Sequence, residues 1–137
     1  MSDPDAPRDR LRGVLASGPP LRLAVLFGSR ARGRARPDSD FDVGILPVDP
    51  GLSLHDELEL ASALSAAVGA EVDVVRLDDD APLLGAEAAR DGVALIEQAP
   101  GTFAAYRARA MSRWIDFEGT LAPHRRRMLR RLAGGRP

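Results

Sequence analysis

The stretch 21–46 most constrains what this chain can fold into, because it holds two apolar runs of strand length joined by a polar loop. Leu23–Phe27 forms the first run, which ends at Gly28. Phe41–Leu46 forms the second run, which is bounded by prolines on both sides. The pattern therefore predicts a strand, an exposed loop rich in arginine, and a second strand.

Two carboxylates open the second strand. Asp40 and Asp42 are two residues apart, so a strand places both side chains on one face, roughly 6–7 Å apart. Like charges so close repel each other unless a cation lies between them, and Mg²⁺ with phosphate oxygens is the usual solution. Gly28 allows a close backbone approach, and Ser29 offers an amide and a hydroxyl to an anion. These residues predict a metal and phosphate site, the alternative being solvated hairpin aspartates.

The motif formed by these residues resembles that of a known superfamily. Gly-Ser ends an apolar strand, an Arg-Gly loop follows, and Ser-Asp-x-Asp opens the next strand. This order resembles the DNA polymerase β nucleotidyltransferase superfamily, and the whole segment is similar to its minimal, MNT-type branch. The resemblance implies an α+β chain with the polymerase-β-like fold, in which helices pack on a small mixed sheet. It also implies nucleotidyl transfer from ATP, with Mg²⁺ as the metal.

The resemblance assigns roles to individual positions. Asp40 and Asp42 would hold Mg²⁺, while the Gly-Ser turn would grip the β- and γ-phosphates. Four arginines alternate along the loop, and we expect the two nearest the turn to contact phosphate and Arg34 and Arg36 to face solvent or a partner. The expected nucleotide-binding residues are Gly28, Ser29, Arg30, Arg32 and Ser39.

A third carboxylate interrupts a later apolar run. Asp73 lies within the valine-rich segment Glu71–Leu77, which predicts a third strand. An isolated buried carboxylate is costly unless it is paired or binds a metal. In the superfamily a carboxylate on a neighbouring strand completes the metal site and can accept a proton, so the resemblance implies Asp73 for this role. An edge-strand aspartate facing water is the alternative, and Glu71 is the fallback ligand.

The remaining periodicities complete an α+β chain. Gly44 would weaken the second strand, since an apolar β-former is more usual there. The acidic run Asp78–Asp80 is expected to form a turn and to cap the helix that follows it. His55 is expected at the surface. The other predicted elements are helices at 7–16, 53–68 and 82–90 and a strand at 93–97.

The C-terminal region is predicted to be helical and basic. A helix opens at Gly101-Thr102, and Phe103, Tyr106, Ala110 and Trp114 form one stripe along it that packs on the core. Pro123 is expected to start a last short helix. The basic tail, about residues 120–137, is expected to contact a partner protein or remain solvated. We predict a single nucleotidyltransferase domain over residues 1–137.

Composition excludes several classes of protein. The 137 residues carry a net charge of −1 and contain no cysteine, which excludes disulfides and thiolate chemistry. No apolar run approaches the roughly 18–20 residues of a membrane span. The first residues lack the apolar core of a signal peptide, so we expect a cytoplasmic protein. Nucleic acid is not expected as the direct substrate.

The resemblance also implies a biological role. Small MNT-type proteins pair with a HEPN-domain RNase toxin, and they are implied to silence it by transferring AMP from ATP to a tyrosine of the toxin. The expectation is therefore an adenylyltransferase antitoxin in a hetero-oligomer with its toxin. Two alternatives stay open, namely an antitoxin that blocks the toxin by binding alone and a nucleotidyltransferase acting on an antibiotic.

Overall fold

The computed structural model describes residues 5–28, 30–31, 40–78 and 81–133, and these form an α+β arrangement of helices on a mixed sheet. The α+β class predicted from the sequence is confirmed. The elements, in chain order, are α1 (Asp5–Ser17), β1 (Leu21–Phe27), β2 (Phe41–Pro47), α2 (Leu54–Val68), β3 (Val72–Arg76), α3 (Pro82–Asp91), β4 (Val93–Glu97) and α4 (Thr102–Ala133).

The sheet has the strand order β3-β2-β1-β4. β2 and β4 both run antiparallel to β1, whereas β3 runs parallel to β2. The C-terminal end of β1 therefore meets the N-terminal ends of the other three strands at one edge of the sheet. Gly28, Asp42 and Asp73 all lie at this edge, because Phe27 pairs with Asp42 and Asp42 pairs with Asp73.

Both faces of the sheet are covered by helices. Because successive strand residues point to opposite faces, a strand buried on both sides reads as a continuous apolar run, as β1 does from Leu23 to Phe27. One face packs against α1 and α2 through residues that include Leu11, Leu26, Ile45 and Leu64. The other packs against α3 and α4 through residues that include Val25, Phe27, Leu77, Ala88 and Tyr106.

The ends of α2 follow the predicted signals, and α3 begins at Pro82 as predicted but without the expected cap. Ser53 caps α2 by accepting the amide of Asp56 at 3.0 Å, and Gly69 ends it with a φ of 69°. The N-cap of α3 is Ala81, which makes no side-chain hydrogen bond, so the predicted acidic cap is wrong. Pro82 explains why a side-chain cap is less needed, since proline has no amide proton to satisfy. Asp79 and Asp80 lie outside the described residues.

Gly44 serves packing, which the sequence did not reveal. A Cβ at this position would lie 2.5 Å from Cδ2 of Leu77, which is 1% exposed. The glycine in β2 therefore leaves space for a core leucine on the face that packs against α3 and α4. A glycine within a strand lowers stability because of its conformational freedom, and the apolar area that Leu77 buries here offsets that loss.

α4 is one continuous helix of 32 residues with Pro123 inside it, so the prediction that Pro123 starts a separate helix is wrong. A proline within a helix removes one hydrogen bond, here to the carbonyl of Gly119. Gly119 is exposed, and hydration of its carbonyl offsets that loss.

Along the described chain, none of the helices combines the length and apolar character that crossing a membrane requires.

Candidate active site

The turn after β1 requires glycine at position 28 for two reasons. Gly28 has a φ of 79°, a left-handed conformation that side chains disfavour. A Cβ at this position would also lie 2.5 Å from Oδ2 of Asp42. The amide of Ala31 donates to the carbonyl of Gly28 at 3.1 Å and closes the turn. The turn backbone therefore lies against the carboxylate of β2.

Asp42 and Asp73 are register neighbours on adjacent parallel strands. Parallel strands lie about 4.8 Å apart, so the two carboxylates project side by side from the sheet. Asp42 is half-buried on the sheet face that α3 and α4 cover, whereas Asp73 is exposed on the edge strand β3. The structure thus brings together the two aspartates that the sequence placed on different strands. It also places Asp73 exposed on an edge strand, which is the position that the alternative interpretation gave it.

The charges that act on Asp42 come from other carboxylates. Burial raises the pKa of Asp42, and the charges of Asp73, Asp40 and Glu87 raise that pKa further. In the described ranges, none of these four acidic side chains takes part in a salt bridge with an arginine or histidine. Such a concentration of negative charge favours a cation at this edge of the sheet.

Glu87 is a site neighbour that sequence reasoning missed. It lies on α3, near the helix end that leads into β4, and its charge acts on Asp42 of β2. The available signal was one carboxylate within the small-residue run Gly85–Ala89, where the other residues are buried. That signal indicates that the Glu87 side chain is either exposed or directed toward a site. It does not indicate which strand the side chain approaches.

Arg30 is held at the site edge by an aromatic ring. Its guanidinium lies over the ring of Phe41, 4.2 Å from the centroid. Phe41 is itself buried and separates the two aspartates of the motif. Because successive strand residues point to opposite faces, the Phe41 ring and the guanidinium over it lie on the face that packs against α1 and α2, whereas Asp42 points to the other face.

The acidic residues fit the chemistry of Mg²⁺ binding. Mg²⁺ in nucleotide sites is commonly bound by one or two carboxylates, with phosphate oxygens and water completing its shell. Asp42 has the required character, with like charges around it and a turn backbone against its oxygen. Across residues 5–28, 30–31, 40–78 and 81–133, no three histidine or acidic side chains are arranged to enclose a metal ion by themselves. An ion held by Asp40, Asp42 and Asp73 would therefore need substrate oxygens and water to complete its shell.

Several other predicted residues can be placed or set aside. Ser29, Arg32 and Ser39 lie outside the described residues, as do Arg34 and Arg36. Glu71 accepts the amide of Phe41 through its backbone carbonyl at 2.9 Å, and its charge is not among those that raise the pKa of Asp42. His55 is exposed and lies 3.3 Å from Glu59 in the next turn of α2, as expected of a surface residue.

Comparison with protein families identifies one match. Residues 10–100 match the family described as polymerase beta, nucleotidyltransferase. Comparison with curated proteins gives no match. The matched range contains the Gly28 turn, both aspartates of the motif and Asp73.

Comparison with solved structures gives similar folds across most of the chain. A toxin–antitoxin structure with AMP-PNP is 23% identical with a TM-score of 0.78, covering 89% of this chain and 98% of that one. A complex of a tri-AMPylated Shewanella oneidensis HEPN toxin with an MNT antitoxin is 20% identical with a TM-score of 0.75, covering 93% and 99%. A protein described as a minimal nucleotidyltransferase is 34% identical with a TM-score of 0.56, covering 68% and 96%.

Proposed function

This chain belongs to the polymerase beta nucleotidyltransferase family, and we propose that it is a Mg²⁺-dependent antitoxin that transfers AMP from ATP to a tyrosine of a HEPN RNase toxin. The observation that carries the proposal is the register pairing of Asp42 with Asp73 beside the Gly28 turn. The similar folds in complexes that contain AMP-PNP or an AMPylated HEPN toxin support both the nucleotide and the partner.

Each residue of the site has a proposed task. Asp40 and Asp42 would hold Mg²⁺, with Asp73 as the third ligand. When bound, Mg²⁺ neutralises the triphosphate and stabilises the charge that develops on the leaving pyrophosphate. The backbone of Gly28 approaches the β- and γ-phosphates, because no side chain stands in the way. Arg30 would contribute a positive charge to the same phosphates once its guanidinium turns from the Phe41 ring toward the Gly28 turn.

The proposed reaction is an in-line displacement at the α-phosphorus of ATP. The tyrosine oxygen forms a bond to the α-phosphorus, while the bond from that phosphorus to the bridging oxygen breaks. Pyrophosphate leaves with the bonding electron pair, and the tyrosine proton passes to Asp73. The exposure of Asp73 on the edge strand suits this task, because a side chain delivered by another protein can reach it.

The first prediction is that Asp40→Asn combined with Asp42→Asn abolishes transfer while the fold survives. Removing two like charges relieves repulsion, so thermal stability without metal should hold or rise. Transfer of labelled AMP to the co-purified HEPN toxin is the measurement, with thermal denaturation as the check on folding. A matched control, Asp9→Asn with Asp49→Asn, removes two exposed carboxylates elsewhere and should transfer normally. Unimpaired transfer by the site variant would contradict the proposed site.

A further inference from the structure

The second half of α4 extends beyond the body of the protein. Phe103, Tyr106 and Ala110 in its first turns are buried against α3 and the sheet. Further along, Met128 and Leu129 are 64% and 59% exposed. A helix of 32 residues is about 48 Å long, longer than the five-residue strands and ten-residue helix that surround it. Its distal part therefore has no surface of the described chain to pack on.

The apolar stripe that packs in the body continues along this distal part. At 100° per residue, Trp114, Phe117 and Met128 fall within about 40° of the line through Phe103 and Ala110. The positions of Leu121 and Leu132 fall on the same line. Trp114 and Phe117 are half-buried and contact each other, with ring centroids 5.7 Å apart. We call this continuation, formed by the described side chains of Trp114, Phe117 and Met128, the distal stripe.

Arginines border the distal stripe along one side. Arg109, Arg113, Arg127 and Arg131 lie within about 40° of one another around the helix axis. Residues 102–133 carry eight arginines and two acidic residues, a net charge of +6. Because the whole chain has a net charge of −1, the rest of it carries −7. The helix is thus a basic element attached to an acidic body.

We propose that the distal stripe of α4 is a docking surface for an acidic, helical face of the partner toxin, a proposal that rests on the proposed function. Apolar residues at steps of three and four along a helix pack best into the groove of another helix or helix pair. Arg127 and Arg131, which are exposed beside the stripe, favour acidic residues on the partner and so orient the docking. Docking there would hold the toxin against the same chain that carries the nucleotide site.

Two other occupants fit the observations less well. A second copy packed stripe to stripe would bring two segments of charge +6 together, which is unfavourable. A nucleic acid would match the arginines, but its bases need exposed aromatic rings on which to stack, and Trp114 and Phe117 are half-buried and contact each other. An acidic helical protein satisfies both the apolar and the charged parts of the surface.

The test compares two variants that each place a glutamate at an exposed apolar position. Met128→Glu lies on the distal stripe, and Leu58→Glu lies on α2, where Leu58 is 59% exposed. Because both positions are exposed, circular dichroism should show both full-length variants folded as wild type. Calorimetry with the purified HEPN toxin should show affinity reduced about tenfold or more for Met128→Glu and unchanged for Leu58→Glu. Both variants should bind Mg²⁺-ATP as wild type does.

The outcomes separate this inference from the proposed function. Equal toxin affinity for Met128→Glu and wild type, with AMP transfer intact, would overturn the docking surface and leave the proposed function standing. Loss of affinity in Met128→Glu, with no AMP ever transferred by wild type, would support the surface and defeat the proposed function. Self-association of wild type that Met128→Glu abolishes, or RNA-oligonucleotide binding that Arg127→Glu with Arg131→Glu abolishes while toxin binding is unaffected, would assign the surface to another occupant.

Discussion

At the scale of single residues, the site depends on one contact between a backbone and a carboxylate. The carboxylate of Asp42 occupies the space that a side chain at position 28 would need. Both residues could be predicted from the motif, because a glycine at the end of an apolar strand and an aspartate within the next strand each have few reasons to occur there. Glu87 was not predictable, because its approach to Asp42 depends on how α3 crosses the sheet, and no local spacing encodes that crossing.

The contact makes Gly28→Ala a specific test. A Cβ would force Asp42 to move and would strain a backbone with a φ of 79°. We expect nucleotide transfer to fall by about a hundredfold or more, with stability reduced by about 1–2 kcal/mol. Gly69→Ala is the matched control, since Gly69 has a φ of 69° but no atom within 4 Å of its Cβ position. The control should show a similar loss of stability with full activity, and equal activity of the two variants would contradict the account.

The raised pKa of Asp42 makes stability depend on pH. In the absence of metal the folded state keeps this carboxyl protonated at pH values where the unfolded chain has released the proton. The free energy of unfolding should therefore fall as pH rises from the ordinary aspartate value of 3.8 through the raised value. Asp42→Asn should lose this part of the pH dependence and be more stable than wild type at neutral pH.

Urea denaturation in EDTA, repeated from about pH 4 to pH 7, measures this effect. Asp49→Asn is a suitable control, because Asp49 is exposed and lies outside the acidic cluster. A wild-type protein whose stability rises over this range relative to Asp42→Asn would show that the cluster does not repel, and the cation site would lose its physical basis.

At the scale of elements, the sequence predicted those whose signals are local. The two strands of the motif, the fourth strand and α2 with its caps follow from apolar runs, turn residues and helical spacing. The acidic N-cap of α3 and the break of α4 at Pro123 were mispredicted, although α3 begins at Pro82 as predicted. In both cases, whether the helix can accommodate the local sequence depends on solvent exposure and on packing with neighbouring elements. A single sequence shows neither of these.

The packing of Gly44 against Leu77 gives an element-scale prediction. Gly44→Ala should destabilise the fold, because its Cβ would lie 2.5–2.8 Å from the side chain of Leu77. Leu77→Ala should cost about 2–5 kcal/mol by leaving a cavity. The double variant should lose less free energy of unfolding than the two single variants lose together. The reason is that the alanine at position 44 fills space that the change at Leu77 vacates. Denaturant unfolding of the three variants measures the coupling, and strict additivity would show that the two residues do not share this space.

At the scale of the whole molecule, charge is segregated between the site and the last helix. An acidic body presents Asp40, Asp42 and Asp73 at one edge of the sheet, and we expect that edge to bind a triphosphate only when a divalent cation compensates the charge. The basic helix α4 carries the distal stripe, in which Met128 is 64% exposed. The two features suit a protein that binds Mg²⁺-ATP at one place and a protein substrate at another.

The central claim is catalytic modification of a partner, and intact-mass spectrometry of that partner tests it most directly. The HEPN toxin is incubated with a small fraction of an equivalent of this protein, ATP and Mg²⁺, and is then separated and weighed. The account predicts that all of the toxin gains one or more AMP units and stays inactive, while Asp42→Asn leaves it unmodified. A toxin that is silenced only by a full equivalent, with no change in mass, would contradict the account.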